Sequence, residues 1–221
     1  MNILAIDTST TACSIALKHA GHVFSYHQDL PRKQSEQLLI QVDQVLKQAN
    51  ISLSDVDLFA CGVGPGSFMG CRLAVGVVQG LAFASKRPVL GVSTLRTLAQ
   101  TGFDELQFEK VVTAWDARMG KVYMGMYELD AAGIMHPLQP DVMLDPCDLT
   151  VVDNVSRCAI GNAWHVYKER INQQLWGALS RVDTMLFPQA SSMLKLVECV
   201  SKEDYLQPHE LAPLYLRRAV S

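Results

Sequence analysis

The sequence lacks the cysteine and histidine spacings that mark disulfide scaffolds and metal sites. Its six cysteines include no CxxC pair, and its six histidines include no HxxxH pair, the spacing that places two imidazoles on one helical face. The N-terminal MNILAID carries neither a basic segment nor a cleavable apolar run. We therefore expect reduced thiols, a cytoplasmic protein and no metal site of its own.

Long apolar runs and an excess of positive charge are also missing. No uninterrupted apolar stretch approaches the ~18 residues that span a bilayer, so we expect no membrane partner. The formal net charge is −3, whereas proteins that bind mainly nucleic acid carry a basic surface. If RNA is involved, we expect a partner to hold it. The length of 221 residues is sufficient for one large core or two smaller ones.

Motifs for covalent or phosphate chemistry are absent as well. GxSxG does not occur, and Ser192 with Lys195 matches SxxK without the SDN and KTG strings that accompany it in penicillin-binding enzymes. The glycine-rich run GVGPGSFMGCR, residues 62–72, is not a P-loop, because Cys71 stands where that motif requires lysine. It is not a dinucleotide fingerprint either, because Met69 stands where glycine is required.

This glycine-rich run lies between an apolar strand and a long apolar helix, and two interpretations are open. In the first, an anion approaches the bare amides at the helix N-terminus. The residues around it would be Gly64, Gly66, Ser67 and Arg72. In the second, the glycines only allow the strand and helix to pack closely, and Ser67 is the N-cap of the helix.

Alternation and β-branched content predict a meander of three strands, followed by alternating helices and strands. In the first half the predicted strands lie at 3–8, 12–19, 22–29, 56–63 and after Pro88, and the helices at 34–49, 67–85 and 93–101. In the second half the strands lie at 110–115, 121–129, 133–143 and 157–161, with an extended segment at 180–186, a short helix from 145, and helices at 163–175 and 190–201. The repeated order predicts a duplicated α/β unit with its boundary at 102–109, and hence lobes at 1–105 and 106–221.

Two predicted helices in the first half carry apolar residues beyond a single buried stripe. In the helix at 34–49 one arc is apolar, and Ile40 lies outside it. That arc consists of Leu38, Leu39, Val42, Val45, Leu46 and Ala49. The helix from Ser67 is apolar nearly all round, so either the second half of the chain or a partner protein must cover its outer side. We predict a partner, with an interface formed by Ile40, Leu73, Gly76, Val77 and Gly80.

Four strings give the chain a specific family resemblance. They are ILAIDTST from Ile3, GPGSFMGCR within the glycine-rich run, DARMGKVY from Asp116 and PLYLRR from Pro213. In this order, from residue 3 to residue 218, they are very similar to strings of the bacterial TsaB (YeaZ-like) family of tRNA threonylcarbamoyladenosine biosynthesis. The chain departs from the family pattern at Gln34, where histidine is usual, at Met69, where threonine is usual, and at Cys71, where a larger aliphatic residue is usual.

The resemblance implies a duplicated, two-lobed actin-like and sugar-kinase-like (ribonuclease H-like) α/β fold. In that superfamily an aspartate at the end of the first strand, followed by hydroxyl residues, lies next to nucleotide phosphates and magnesium. Asp7, Thr8 and Ser9 resemble that loop, and Asp116 with Arg118 lies in the matching loop of the second half. From the residues alone, an Asx or ST turn at Asp7 and a hairpin turn at Asp116 are equally good explanations.

The resemblance also implies a non-catalytic scaffold. In this family's pathway the larger paralog TsaD transfers the threonylcarbamoyl group to the adenosine next to the anticodon, and TsaE supplies an ATPase. A chain of this kind would bind both, and we expect it to contact tRNA only through the complex. The apolar helical face predicts in addition that the chain self-associates as a homodimer when the paralog is absent. The missing metal ligands and second-half adenosine loop predict that it binds neither ATP nor magnesium by itself. The alternatives are a small phosphotransferase that uses Asp7 and Asp116 on magnesium-ATP, and a peptidase, suggested by the old glycoprotease label of the family's relatives.

Overall fold

A computed structural model describes residues 1–151 and 155–216. The chain divides into two compact units. Unit 1 comprises Met1–Thr97 and Pro188–Leu214, and unit 2 comprises Leu98–Phe187 with Tyr215 and Leu216. This division differs from the predicted lobes at 1–105 and 106–221, because residues 188–214 return to the first unit.

Unit 1 is built on a five-stranded sheet. Its strands are β1 (Ile3–Asp7), β2 (Ala12–His19), β3 (His22–Asp29), β4 (Leu58–Gly64) and β5 (Val89–Ser93). Its helices are α1 (Gln34–Gln48), α2 (Phe68–Ser85) and α6 (Ala190–Glu198), and α3 (Thr94–Leu106) begins in this unit. The strand order is β3-β2-β1-β4-β5, with antiparallel pairing in the meander β1 to β3 and parallel pairing of β1, β4 and β5.

The core of unit 1 lies between this sheet and its helices. α1 packs on β2, α2 on β4, and α6 on both β1 and β2. The amide of Ala190, at the start of α6, donates to the hydroxyl of Ser14 in β2 over 2.8 Å. Lys18 and Glu198 form an ion pair between the same two elements. These contacts explain why the last helix belongs to unit 1: its apolar stripe is buried on the first sheet.

Unit 2 contains a six-stranded sheet. Its strands are β6 (Lys110–Arg118), β7 (Lys121–Leu129), β8 (Met135–Pro137), β9 (Val142–Leu144), β10 (Arg157–Ile160) and β11 (Leu179–Asp183), and its short helices are α4 (Ala163–Val166) and α5 (Gln173–Ala178). The order β8-β7-β6-β10-β11 repeats that of unit 1, with an antiparallel meander followed by parallel strands, and β9 pairs with β7 outside this path. The predicted duplicated α/β, actin-like fold class is confirmed.

Three predicted elements differ from the structure. The strand at 133–143 is split into β8 and β9, because Pro140 lies between them and has no N–H to give to a ladder. The helix at 163–175 is interrupted after α4, and α5 starts anew at Asn172, whose side chain accepts a hydrogen bond from the Gln174 amide. α3 continues to Leu106 instead of ending near residue 101.

Helix α2 is the one described helix that is long and apolar enough to cross a bilayer by length and composition. A single helix of this kind is weak evidence of a membrane span, since the core helices of water-soluble folds pass the same test.

Candidate interaction face and loop sites

The outer side of α2 is apolar and open. A Cβ placed on Gly76 or on Gly80 would meet no other atom within 4 Å. On the same helix Met69 is 72% exposed and Phe83 is 78% exposed. Together with Ala84 these residues form a continuous surface along α2, which we call the α2 face. The predicted row of small residues is therefore exposed in the described chain.

The other predicted interface residues are divided between the surface and the core. Ile40 of α1 is exposed, as predicted, but Leu39 is exposed too, although its helical position assigned it to the buried arc. Leu73 and Val77 are half-buried and pack against the unit 1 core, so only part of each side chain is exposed on the outer surface of α2. The interface prediction did not name Leu39, Met69 and Phe83, which are large apolar residues exposed on α1 and α2.

The start of α2 matches the second interpretation of the glycine-rich run. Ser67 is the N-cap, and its hydroxyl accepts a hydrogen bond from the Gly70 amide over 3.3 Å. The guanidinium of Arg72 stacks on the ring of Phe68 at 3.6 Å from its centroid, which orders the first turn. The amide of Ser67 donates to the carbonyl oxygen of Ser9 over 2.6 Å.

The glycines of this run allow a second loop, the hydroxyl loop at Asp7 to Thr10, to lie directly against α2. A Cβ on Gly70 would lie 1.9 Å from the carbonyl oxygen of Thr8, and one on Gly66 would lie 2.3 Å from that of Ser9. The Thr8 hydroxyl also donates to the Gly70 carbonyl over 2.7 Å. The side of α2's first turn that faces this loop therefore contacts backbone carbonyls, and no anion fits between them.

Gly64 has a different role, at the end of β4. Its φ of +106° is a conformation that other residues rarely adopt, and a Cβ there would approach the sulfur of Cys71 at 3.1 Å. The amide of Leu214 donates to the neighbouring Val63 carbonyl over 2.8 Å, which places the C-terminal segment of unit 1 beside this turn.

Asp7 is fully buried, with a relative exposure of 1%. Its Oδ1 accepts hydrogen bonds from the amide and the hydroxyl of Ser9, at 2.8 and 2.6 Å. Its Oδ2 has no hydrogen bond of ordinary geometry among the described residues, and the same holds for the hydroxyl of Thr94, although that hydroxyl lies near enough to Asp7 to lower its pKa slightly. A Cβ on Gly62 would lie 2.0 Å from that Oδ2, so the carboxylate rests on bare backbone. Burial raises the pKa of Asp7 to about 6, although the bonds from Ser9 and, to a smaller extent, the Thr94 hydroxyl oppose that shift.

Three cysteines with buried thiols, Cys13, Cys61 and Cys71, lie near Asp7. Burial, followed in effect by the nearby Asp7 carboxylate, raises the pKa of Cys13 to about 11 and that of Cys71 to about 12. The same two causes raise the pKa of Cys61 well above its ordinary value. Because the thiolate is the nucleophile, these cysteines are unreactive packing residues.

The Asp116 loop in unit 2 is a hairpin turn. Oδ1 of Asp116 accepts hydrogen bonds from the Arg118 amide over 2.8 Å and from the Tyr167 hydroxyl over 2.7 Å. The Asp116 amide donates to Oδ1 of Asn162 over 2.8 Å. Desolvation and then the bond to Asp116 raise the pKa of Tyr167. This carboxylate stabilises the connection between β6 and β7.

Neither aspartate loop fits a magnesium-nucleotide group. Thr8, Ser9 and Thr10 are buried, and their polar atoms bond to protein backbone or to Asp7. Asp116 accepts hydrogen bonds from groups of its own unit. Within residues 1–151 and 155–216, no group of three or more His, Cys, Asp or Glu side chains is placed to hold a metal ion.

Gln34 holds the hydroxyl loop from the other side. Its Nε2 donates to the carbonyl oxygens of Thr10 and Ala12, at 2.9 and 2.7 Å. Gln34 stands where the family pattern usually has histidine, and here the amide closes the turn that connects β1 to β2.

The chain is similar over nearly its whole length to proteins named for one pathway of tRNA modification. It is 34% identical to the tRNA threonylcarbamoyladenosine biosynthesis protein TsaB of Escherichia coli, covering 100% of this chain and 96% of that protein. The Bacillus subtilis protein of the same name is 30% identical over 99% of this chain and 95% of its own length. The chain belongs to the TsaB family. The family profile described as TsaD, tRNA N6-adenosine threonylcarbamoyltransferase, matches residues 28–144.

A solved TsaB-family structure has the same fold. YeaZ from Pseudomonas aeruginosa superposes with a TM-score of 0.91 at 40% identity, covering 97% of this chain and 99% of that one. Three of the strings that carried the resemblance fall on the contacts described above: ILAIDTST on β1 and the hydroxyl loop, GPGSFMGCR on the start of α2, and DARMGKVY on the β6–β7 hairpin. In the fourth, PLYLRR, Arg217 and Arg218 lie outside the described residues.

Proposed function

We propose that this chain is a non-catalytic subunit of the complex that makes threonylcarbamoyladenosine in tRNA, in the cytoplasm. It binds a TsaD-type catalytic paralog and a TsaE-type ATPase, and it contacts tRNA only through that complex. ATP and magnesium belong to the complex and not to this chain alone. The names of its TsaB relatives support the pathway, and the surface of unit 1 supports the role as a subunit.

The α2 face is the observation that carries this proposal. Large apolar side chains such as Phe83 and Met69 are mostly exposed beside two glycines that leave the helix backbone open. Leu39 and Ile40 add a second exposed apolar pair on α1. Contiguous apolar surface of this kind marks an interaction site. The small residues at Gly76 and Gly80 allow a partner helix to approach closely, so we propose that the paralog packs here, and a second copy does so when the paralog is absent.

The loops support a binding role over a phosphotransferase role. A phosphotransferase, the alternative function, would need the Asp7 and Asp116 carboxylates free to face a metal and a phosphate. Asp7 is buried beneath the glycine-rich run, and Asp116 receives hydrogen bonds from Arg118 and Tyr167. Oδ1 of each carboxylate accepts hydrogen bonds within its own unit, and Asp7 is closed off from solvent.

The test is a charged insertion on the α2 face. We expect Gly80→Arg to leave the isolated chain folded, because a Cβ there meets nothing within 4 Å and surface changes usually cost within about ±0.5 kcal/mol. It should abolish both self-association, measured by sedimentation, and binding to the TsaD-type paralog, measured by calorimetry. Cells with only this variant should lack threonylcarbamoyladenosine, measured by mass spectrometry of digested tRNA.

Gly177→Arg is the matched control, since Gly177 is also an exposed helical glycine whose Cβ would meet nothing within 4 Å. It should retain association and tRNA modification. If Gly80→Arg folds and still supports full modification, the α2 face has no role in the pathway. If Gly80→Arg unfolds while Gly177→Arg does not, the glycine row packs internally and the interface is misplaced.

A further inference from the structure

The carboxylate of Asp7 lies beneath the first turn of α2, and its burial is only partly compensated. Oδ1 accepts hydrogen bonds from the amide and the hydroxyl of Ser9. Oδ2 lies against the backbone of Gly62 and has no hydrogen bond of ordinary geometry, and the nearby hydroxyl of Thr94 is in the same state. Because a buried polar atom without a hydrogen bond costs free energy, and a charged one costs more, ionised Asp7 favours a rearrangement that brings water to Oδ2.

The other titratable groups around Asp7 do not offset its charge. Cys13 of β2, Cys61 of β4 and Cys71 of α2 lie near it, and burial raises the pKa of each thiol well above neutral pH, so the thiols stay uncharged. The start of α3 contributes one hydroxyl, and the loop contributes a hydroxyl and an amide. In the part of the chain that the structure describes, no cation is among the groups that set the pKa of Asp7. The ionised form is therefore held without a counter-ion.

On the side of α2, a thin cover separates Asp7 from solvent. It consists of the hydroxyl loop and the first turn of the helix. Residues 8–10 are buried, but Thr11 is exposed at one end of the cover, and Ser67 and Phe68 are exposed at the other. Water reaches Oδ2 when this cover lifts, and the rest of unit 1 need not unfold.

Two hydrogen bonds hold the loop to the first turn of α2. The amide of Ser67 donates to the carbonyl oxygen of Ser9 over 2.6 Å, and the hydroxyl of Thr8 donates to the carbonyl oxygen of Gly70 over 2.7 Å. Ser9 is also the residue whose amide and hydroxyl bond to Oδ1 of Asp7. A loop that moves to hydrate the carboxylate therefore releases the start of the helix as well.

The rest of α2 is anchored independently of that turn. Val78 and Ala82 are buried in the core of unit 1, and Nε2 of Gln79 donates to the carbonyl oxygen of Leu211 over 2.9 Å. Opening is therefore confined to the hydroxyl loop and the first turn, which have few such anchors. That turn carries Met69, which forms one end of the α2 face.

We propose that ionisation of Asp7 promotes local opening of the hydroxyl loop and the first turn of α2, so that one end of the α2 face is ordered in acid and loosened at neutral pH. The opening depends on this chain alone, whereas its consequence for the paralog, weaker packing at the Met69 end, rests on the proposed function. Burial raises the pKa of Asp7 from 3.8 to about 6, and hydration restores the ordinary value. The difference makes opening about a hundredfold more frequent at pH 7.5 than at pH 4.

Amide hydrogen exchange of the full chain measures this opening. At pH 7.5 the amides of Ser9 and Ser67 should exchange about a hundredfold faster in the wild type than in Asp7→Asn, which keeps the shape of the acid without its charge. At pH 4 the two proteins should exchange nearly equally fast. Comparing them at the same pH removes the pH dependence of the exchange reaction itself. Ser67→Ala is the matched control: it removes the hydroxyl that accepts from the Gly70 amide, and should speed exchange at Ser9 by the same factor at every pH.

Ser9→Ala tests the charge with the carboxylate in place, and is decisive if Asp7→Asn fails to fold. It removes a hydrogen bond that lowers the pKa of Asp7, so it should speed exchange at Ser67 several-fold more at pH 7.5 than at pH 4. A ratio of wild type to Asp7→Asn that does not change with pH overturns the inference. So does a ratio that rises equally for the amide of Ala60, buried in β4, because unit 1 then opens as a whole.

The proposed function is tested separately by Gly80→Arg. If that variant loses the paralog while exchange in the isolated chain shows no dependence on Asp7, only this inference fails. If the loop opens with pH as expected while Gly80→Arg still binds the paralog, the local opening stands and the proposed function fails.

Discussion

Asp7 and Asp116 lie on corresponding strands of two sheets with the same strand order, yet the protein uses them in opposite ways. Asp7 is buried under the glycine-rich run, with one carboxylate oxygen unpaired and its pKa raised. Asp116 is bonded to a hairpin turn and to Tyr167 near the surface of unit 2. The duplicated topology therefore preserves the position of an acid at the strand end, whereas the surrounding loops decide its chemistry.

The difference originates in the segment after the next parallel strand of each sheet. In unit 1, β4 leads into the glycine-rich run and the 18-residue helix α2, which lies on the hydroxyl loop. In unit 2, β10 leads into Gly161 and the four-residue helix α4. A short helix leaves the Asp116 loop open, so that loop can form a projecting hairpin. The long helix buries the Asp7 loop and provides the α2 face.

The largest expected effect comes from filling the contact between α2 and the hydroxyl loop. Gly70→Ala places a methyl group 1.9 Å from the Thr8 carbonyl oxygen, and backbone on both sides must move. We expect a loss of about 3 kcal/mol or more in the free energy of unfolding of unit 1. Urea titration with labelling of its buried thiols, Cys13, Cys61 and Cys71, measures this loss.

The corresponding substitution in unit 2 is the control. Gly120→Ala meets only the end of the flexible Arg170 side chain, at 3.1 Å, so its cost is mainly that of a positive φ, about 1 kcal/mol. All three tryptophans lie in unit 2, and their fluorescence reports on it separately. If Gly70→Ala and Gly120→Ala lower the free energy of unfolding equally, the Asp7 and Asp116 loops are packed equally tightly, and the two units do not differ in this respect.

The second effect concerns Asp7 and depends on pH. Its pKa is about 6 in the folded chain against an ordinary value of 3.8, so folding favours the protonated form. Burial of the ionised carboxylate lowers the free energy of unfolding. This loss is absent below about pH 4, grows between the two pKa values, and is complete above about pH 6, where the shift corresponds to about 3 kcal/mol. We expect Asp7→Asn to match the wild type at pH 4 and to exceed its stability at pH 7.5 by up to that amount.

Urea unfolding followed by circular dichroism at pH 4, 5, 6 and 7.5 measures this difference. Asp116→Asn is the matched control, and it should weaken the hairpin without gaining stability at pH 7.5. If Asp7→Asn is less stable than the wild type at pH 7.5, the carboxylate has a partner that compensates its burial, and its unpaired oxygen is not a cost.

The sequence was sufficient for local features and insufficient for contacts distant in the chain. Hydrophobic period and turn residues predicted the strands of unit 1 within a few residues, and the serine before an apolar run predicted the N-cap of α2. The contact of Gly70 with Thr8 could not be predicted, because the two residues are 62 positions apart and only the completed sheet brings them together.

The same limit explains the errors in domain organisation and at the interaction face. The apolar stripe of α6 shows that this helix needs a sheet, but not which of two sheets, so residues 188–214 were assigned to the wrong unit. Leu39 lies at the edge of a helical arc, where a rotation of one position decides between core and solvent. The hairpin at Asp116 was among the predicted alternatives, whereas the exposure of Met119 had no sequence signal apart from its place before Gly120.

The smallest effect tests the hydrogen bond that positions Asp116. Tyr167→Phe removes a hydroxyl that donates to its carboxylate at 2.7 Å and leaves the ring in place. We expect a loss of about 1 kcal/mol in the stability of unit 2, the net value of one partly buried hydrogen bond to a charged group.

Tyr26→Phe in unit 1 is the control, because the Tyr26 hydroxyl donates to Gln28 at an exposed edge strand and should contribute little. Tryptophan fluorescence during urea unfolding measures the first variant, and thiol labelling measures the second. If Tyr167→Phe costs no more than Tyr26→Phe, the Tyr167 hydroxyl does not position Asp116, and the carboxylate is held through its bond from the Arg118 amide.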